Sequence, residues 1–89
     1  MKKQLLIREL LIEKWIEPSY VSKSGNMYWY NEYGNLHSTG DRPAMKGQDG
    51  SKWWYKNGQI HRDGENPAAI HSNGKMFWYK NGKYIKANF

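Results

Sequence analysis

The chain has 89 residues, no cysteine and a formal net charge of +6. That length fits one domain with a thin core, since a chain of this size buries only ~60–65% of its unfolded surface. The absence of cysteine excludes a disulfide framework and a thiolate metal site and is compatible with a reducing cytosol, and no apolar run approaches the ~18 residues a membrane helix needs.

The first segment, "MKKQLLIRELLIEKWIE" over residues 1–17, is rich in Leu, Glu and Lys and free of Gly and Pro. Such a composition predicts a helix, ended at Glu17 because the residue before a proline avoids α geometry. Ile7, Leu11, Trp15, Ile12, Leu5 and Ile16 would share one half of its circumference. Leu6 and Leu10 fall on the other half, among Glu9, Glu13 and Glu17, and are candidate oligomer-interface residues, most simply of a two-fold homodimer. Ordinary exposed leucines are the alternative. Arg8, Glu9 and Glu13 interrupt the apolar run and no small-residue cleavage site follows, which argues against a signal peptide.

From Pro18 onward the chain repeats itself. Pro18, Pro43 and Pro67 head three copies, spaced 25 and 24 residues apart. Gly25, Gly50 and Gly74 occupy one matching slot, Trp29, Trp54 and Trp78 the next, then Tyr30, Tyr55 and Tyr79. "GNLHSTGDRPA" from Gly34 answers "GQIHRDGENPA" from Gly58, so His37 matches His61 and Ala44 matches Ala68. The third copy ends "GKYIKANF", without the histidine or the acidic turn. Ser24-Gly25, Asp49-Gly50, Asn73-Gly74, Asn57-Gly58 and Asn81-Gly82 are turn pairs, and "SKWWYK" and "KMFWYK" between them favour strands. The predicted fold is therefore α+β: a helix followed by an antiparallel β-meander of three hairpin repeats of ~24 residues, with units at 18–42, 43–66 and 67–89.

The phrase "WYKNGQIHRDGENPAAIHSNG" resembles the short tandem repeats of phage and large-virus proteins. It is similar to the MORN-variant repeats of the "WYxNG" type. The resemblance covers about residues 18–86 and is most specific over Trp53–Gly82. It implies a β-hairpin repeat with an accessory or interaction role, plausibly phage-encoded and acting in the host cytoplasm, and it brings no catalytic residues.

Strand side chains alternate between faces. Trp29, Trp54 and Trp78 thus point one way with Met27, Lys52 and Met76. Tyr28, Trp53 and Phe77 point the other way with Tyr30, Tyr55 and Tyr79. One face must be core. With Lys56, Lys80 and Lys83 beside it, the tyrosine-bearing face is the candidate partner-binding surface, suited to anchoring in a protein pocket or to stacking on bases. Packing of both faces is the structural alternative.

Little else carries chemistry. His37 and His61 share a repeat slot, which fits a common structural job better than metal ligation, and His71 stands apart from both. Asp41, Asp63 and Glu65 read as turn formers. No nucleophile, phosphate-loop or dinucleotide motif is present, so the expectation is a non-enzymatic protein without cofactor or metal. Residues 67–89 hold four lysines and no acid. This basic excess leaves nucleic acid or a nucleotide as an alternative partner, and a lysine-protected sheet edge as the plain reading. The leading expectation is a cytoplasmic module that binds and modulates a host protein. A structural or assembly element is the further alternative.

Overall fold

A computed structural model describes residues 18–88 of the chain. Among them run β1 (Tyr20–Val21), β2 (Met27–Tyr28), β3 (Met45–Lys46), β4 (Lys52–Trp53), β5 (Tyr55–Lys56), β6 (Gln59–Ile60), β7 (Ala69–Ile70), β8 (Met76–Lys80) and β9 (Lys83–Asn88). Seven of these form one antiparallel sheet in the order β1-β2-β3-β4-β7-β8-β9, and β5 pairs with β6. The strands recur at the spacing of the sequence repeat. Tyr20, Met45 and Ala69 each open a strand two residues after a matching proline.

The turns explain why the same hairpin forms three times. Ser22 N–H donates to Asn26 O at 2.8 Å, Gly47 N–H to Ser51 O at 2.8 Å, and His71 N–H to Lys75 O at 2.8 Å. The glycine one residue before the closing acceptor takes φ of +94° at Gly25, +94° at Gly50 and +90° at Gly74, a region costly for any residue with a Cβ. The second turn of the later units is Asn57-Gly58 and Asn81-Gly82, with φ of 50° at both asparagines. Two successive positive φ values match the twist of the flanking strands. The extra residue in "NEYG" lengthens the first unit's turn, and there only the single Tyr30–Leu36 bridge forms.

The core is a row laid across the strands. Trp29 N–H donates to Ala44 O and Trp54 N–H to Ala68 O, both at 2.8 Å, while Ala68 N–H reaches Phe77 O at 2.9 Å. This register places Trp29, Ala44, Trp54, Ala68 and Trp78 side by side on one face. Ala44 and Ala68 are fully buried and Trp54 is 4% exposed. Each methyl leaves room for the indoles on either side, so large and small side chains interdigitate. The indole N–H groups are satisfied by the linkers between units: Trp54 Nε1 donates to Asp41 O at 3.0 Å and Trp78 Nε1 to Glu65 O at 2.8 Å.

The last unit differs. β8 runs unbroken through residues that divide into β4 and β5 one unit earlier, and β9 returns along its whole length. Lys83 and Tyr84 occupy the slots of Gln59 and Ile60. Ala87 and Asn88 pair with Phe77 and Met76, as Ala69 and Ile70 pair with Trp53 and Lys52. A bulge at Trp78/Tyr79 leaves Ile85 unmatched. β9 thus takes the places of a return strand and of a following unit's first strand.

The α+β expectation is corrected: the described residues are all β, with no helix among them. The helix expected over residues 1–17, and Leu6 and Leu10 with it, lie outside the described residues. The β-hairpin expectation holds, but most strands are only two residues long, because a turn or linker follows almost every pairing.

Candidate functional site

The sheet presents two chemically distinct regions: a polar seam where one unit meets the next, and the face bearing the tyrosines.

At the seam, Arg62 follows β6 and its side chain is 12% exposed. Its guanidinium lies 3.8 Å from the Trp54 ring centroid. Nε and Nη2 donate to the two carboxylate oxygens of Asp41 at 2.9 Å each, and Nη1 donates to Pro67 O at 3.0 Å. The fork of donors matches a carboxylate while the flat cation stacks on the indole. The hydrogen bonds from Arg62 hold the Asp41 carboxyl below the usual carboxylate range, and the guanidinium charge adds to this. Lys86 repeats the stacking one unit later, 4.8 Å from the Trp78 centroid.

The matched histidines do matched work. Asn57 N–H donates to His37 Nδ1 at 3.1 Å, and Asn81 N–H donates to His61 Nδ1 at 2.8 Å. Beside them, Gly58 N–H reaches Leu36 O and Gly82 N–H reaches Ile60 O, both at 2.8 Å. Each turn is therefore fastened to the return strand of the preceding unit. His61 Nε2 donates to Asp63 Oδ1 at 2.7 Å, which fixes the ring with Nδ1 as acceptor. That bond holds the exposed Asp63 carboxyl below its ordinary value, helped by the charges of Lys56 and Lys80. His37, Asp41, Trp54, Lys56, His61 and Arg62 border a cavity of about 340 Å³. His37 Nδ1, both nitrogens of His61 and the Arg62 guanidinium already serve the fold. Among the described residues, no group of three or more His, Asp or Glu is placed to hold a metal ion.

On the tyrosine face the candidate residues form three groups rather than one patch. Tyr28 (half-buried) and Tyr30 (42% exposed) stack with centroids 6.5 Å apart, and Tyr20, which is 53% exposed, continues the run at 5.7 Å. Trp53 and Phe77 are half-buried and are bridged by His71, at 6.0 and 4.7 Å. Burial, with the Tyr79 phenol adding to it, raises the Tyr55 phenol above its ordinary value. Tyr79 also meets the exposed Tyr84 edge-on at 5.7 Å. Of the lysines, Lys56 and Lys83 are exposed, whereas Lys80 Nζ donates to Arg62 O and to Gly64 O at 2.7 Å.

Sequence reasoning did not place Tyr20, His71 or Tyr84 in these groups. The signal was available for His71, two residues from Ala69 on one strand face and thus beside both aromatic neighbours. Tyr20 sits in a strand opening that the flat composition of "PSYVSK" conceals. No helix of the described residues is long and apolar enough to cross a membrane. Compared with known proteins, the chain matches no family model, no curated protein and no solved structure.

Proposed function

We propose that this chain is a non-enzymatic binding module of the cytoplasm, a MORN-like repeat protein that docks its tyrosine-bearing face on a protein partner. A phage origin and a host protein as partner follow from the same resemblance. The observation that carries the reading is the aromatic run Tyr20–Tyr28–Tyr30, in which Tyr20 and Tyr30 are exposed while Trp54 on the opposite face is buried between Ala44 and Ala68. Tyrosines supply large, rigid contact area with a polar tip, and such residues dominate protein interfaces. At the seam, Asp41, His61 and Arg62 are engaged in joining the units.

Nucleic acid is the weaker partner. Lys80 is tied to two carbonyls and Lys86 covers Trp78, while Lys56 and Lys83 are exposed and the Lys56 charge acts on the Asp63 carboxylate. Affinity capture from nuclease-treated host lysate tests the choice. The expected outcome is a specific protein retained by the wild type and lost with Tyr28→Ser/Tyr30→Ser. Capture that nuclease abolishes, or that the double variant leaves intact, overturns the reading.

A further inference from the structure

The outer edge of the sheet at β9 suggests how a partner could add to this fold. β9 is the longest strand among the described residues and lies at one end of the strand order, with β8 as its neighbour. Lys83, Tyr84, Ile85, Lys86 and Asn88 are exposed. In the two earlier units the return strand offers a carbonyl, Leu36 O or Ile60 O, to a glycine N–H of the next turn. Tyr84 stands in that slot in the last unit, and no such N–H reaches it among the described residues. Ile85 stands in the slot of His37 and His61, so the side-chain fastening that a following unit of this kind would use is missing. The edge is shaped for another strand, but not for another copy of this unit.

Charge selects the strand. Residues 67–88 contain Lys75, Lys80, Lys83 and Lys86 and no acid. Two such edges repel each other, which is how lysines keep exposed edges from self-pairing. An extended acidic segment meets the opposite field. We propose that β9 receives an extended, acidic peptide segment of a partner protein by β-strand addition, with backbone hydrogen bonds providing affinity and Lys83 selecting charge. The proposal rests on the reading of the chain as a protein-binding module and adds a second contact away from Tyr28 and Tyr30.

The test is fluorescence anisotropy of the full 89-residue protein with a labelled, end-capped peptide of alternating glutamate and valine. Saturable binding is expected. N-methylating every residue of the peptide, which removes the backbone donors of both edges and keeps the charge, should weaken it about a hundredfold. Replacing glutamate by lysine should abolish it. Lys83→Glu should weaken it several-fold while Lys86 keeps its place on Trp78. Equal binding of the fully N-methylated peptide would mean simple polyanion attraction and overturn strand addition, as would no binding of the parent peptide. If the peptide fails while Tyr28→Ser/Tyr30→Ser still abolishes partner capture, only the edge proposal falls. If the peptide binds and capture ignores the tyrosines, the face reading falls and the edge stands.

Discussion

Arg62 joins three parts of the molecule through one side chain: the Trp54 ring of the core row, the Asp41 carboxylate of one linker and the Pro67 carbonyl of the next. Arg62→Met keeps apolar bulk over the indole but removes the charge and every donor. It should cost about 1–3 kcal/mol in urea denaturation, because charge-assisted hydrogen bonds and a desolvated cation–π contact are lost together. Acid should act at the same place. Asp41, Asp49 and Asp63 are all held below the ordinary carboxylate value, by Arg62, Ser51 and His61 respectively. The native state therefore binds fewer protons than the unfolded chain near and below pH ~4. Their contribution is complete above the unfolded carboxylate value and is lost as pH falls through the folded ones. Stability measured across pH 2–5 should decline toward acid, and Asp41→Asn should flatten part of that slope. These carboxylates were legible only as turn formers: Asp41 pairs across units with Arg62, 21 residues on, whereas Asp49 and Asp63 bond Ser51 and His61 two residues away within their own unit.

At the scale of the element, the turn pairs were the most legible feature of the chain. Positive φ at Asn57, Asn81 and the matching glycines is a local demand that local sequence announces. Gly47 was not legible, since nothing local asks for it. A Cβ there would stand 2.3 Å from Ser51 Oγ and 2.6 Å from Asp49 Oδ1, the pair that closes the turn. Gly47→Ala should cost about 1–3 kcal/mol by overpacking, read from the urea midpoint, although its backbone conformation would suit alanine. The histidine fastening was half legible: the shared slot implied a shared job, but the acceptor role toward the next turn needed coordinates. His61→Phe fills the same buried volume and leaves Asn81 N–H without its acceptor. A loss of about 1–3 kcal/mol is expected, with faster hydrogen exchange concentrated in the Asn81-Gly82 turn.

At the scale of the whole molecule, the described residues form a sheet with a tryptophan face and a tyrosine face, and alternation along "SKWWYK" made that division readable from sequence. Which face would be buried was not readable, because both are aromatic. Pairing across units, a non-local fact, brings Ala44 and Ala68 between the tryptophans on one face and Ala69 between Trp53 and Phe77 on the other, and only the first face buries a tryptophan, Trp54. The α+β expectation came from the helix propensity of the first 17 residues, a segment that the all-β description of residues 18–88 does not include. The unbroken β8–β9 hairpin was hidden as well, since "WYKNG" reads identically in the second and third units yet follows a divided strand in one and a continuous strand in the other. If the tryptophan row holds the fold and the tyrosine face is free to bind, substitutions on the two faces should separate cleanly. Chemical denaturation of Trp54→Ala beside Tyr30→Ala measures that directly. A loss of about 3–5 kcal/mol is expected for Trp54→Ala and of less than about 1 kcal/mol for Tyr30→Ala. A near-neutral Trp54→Ala with a severe Tyr30→Ala would invert the faces and remove the proposed binding surface.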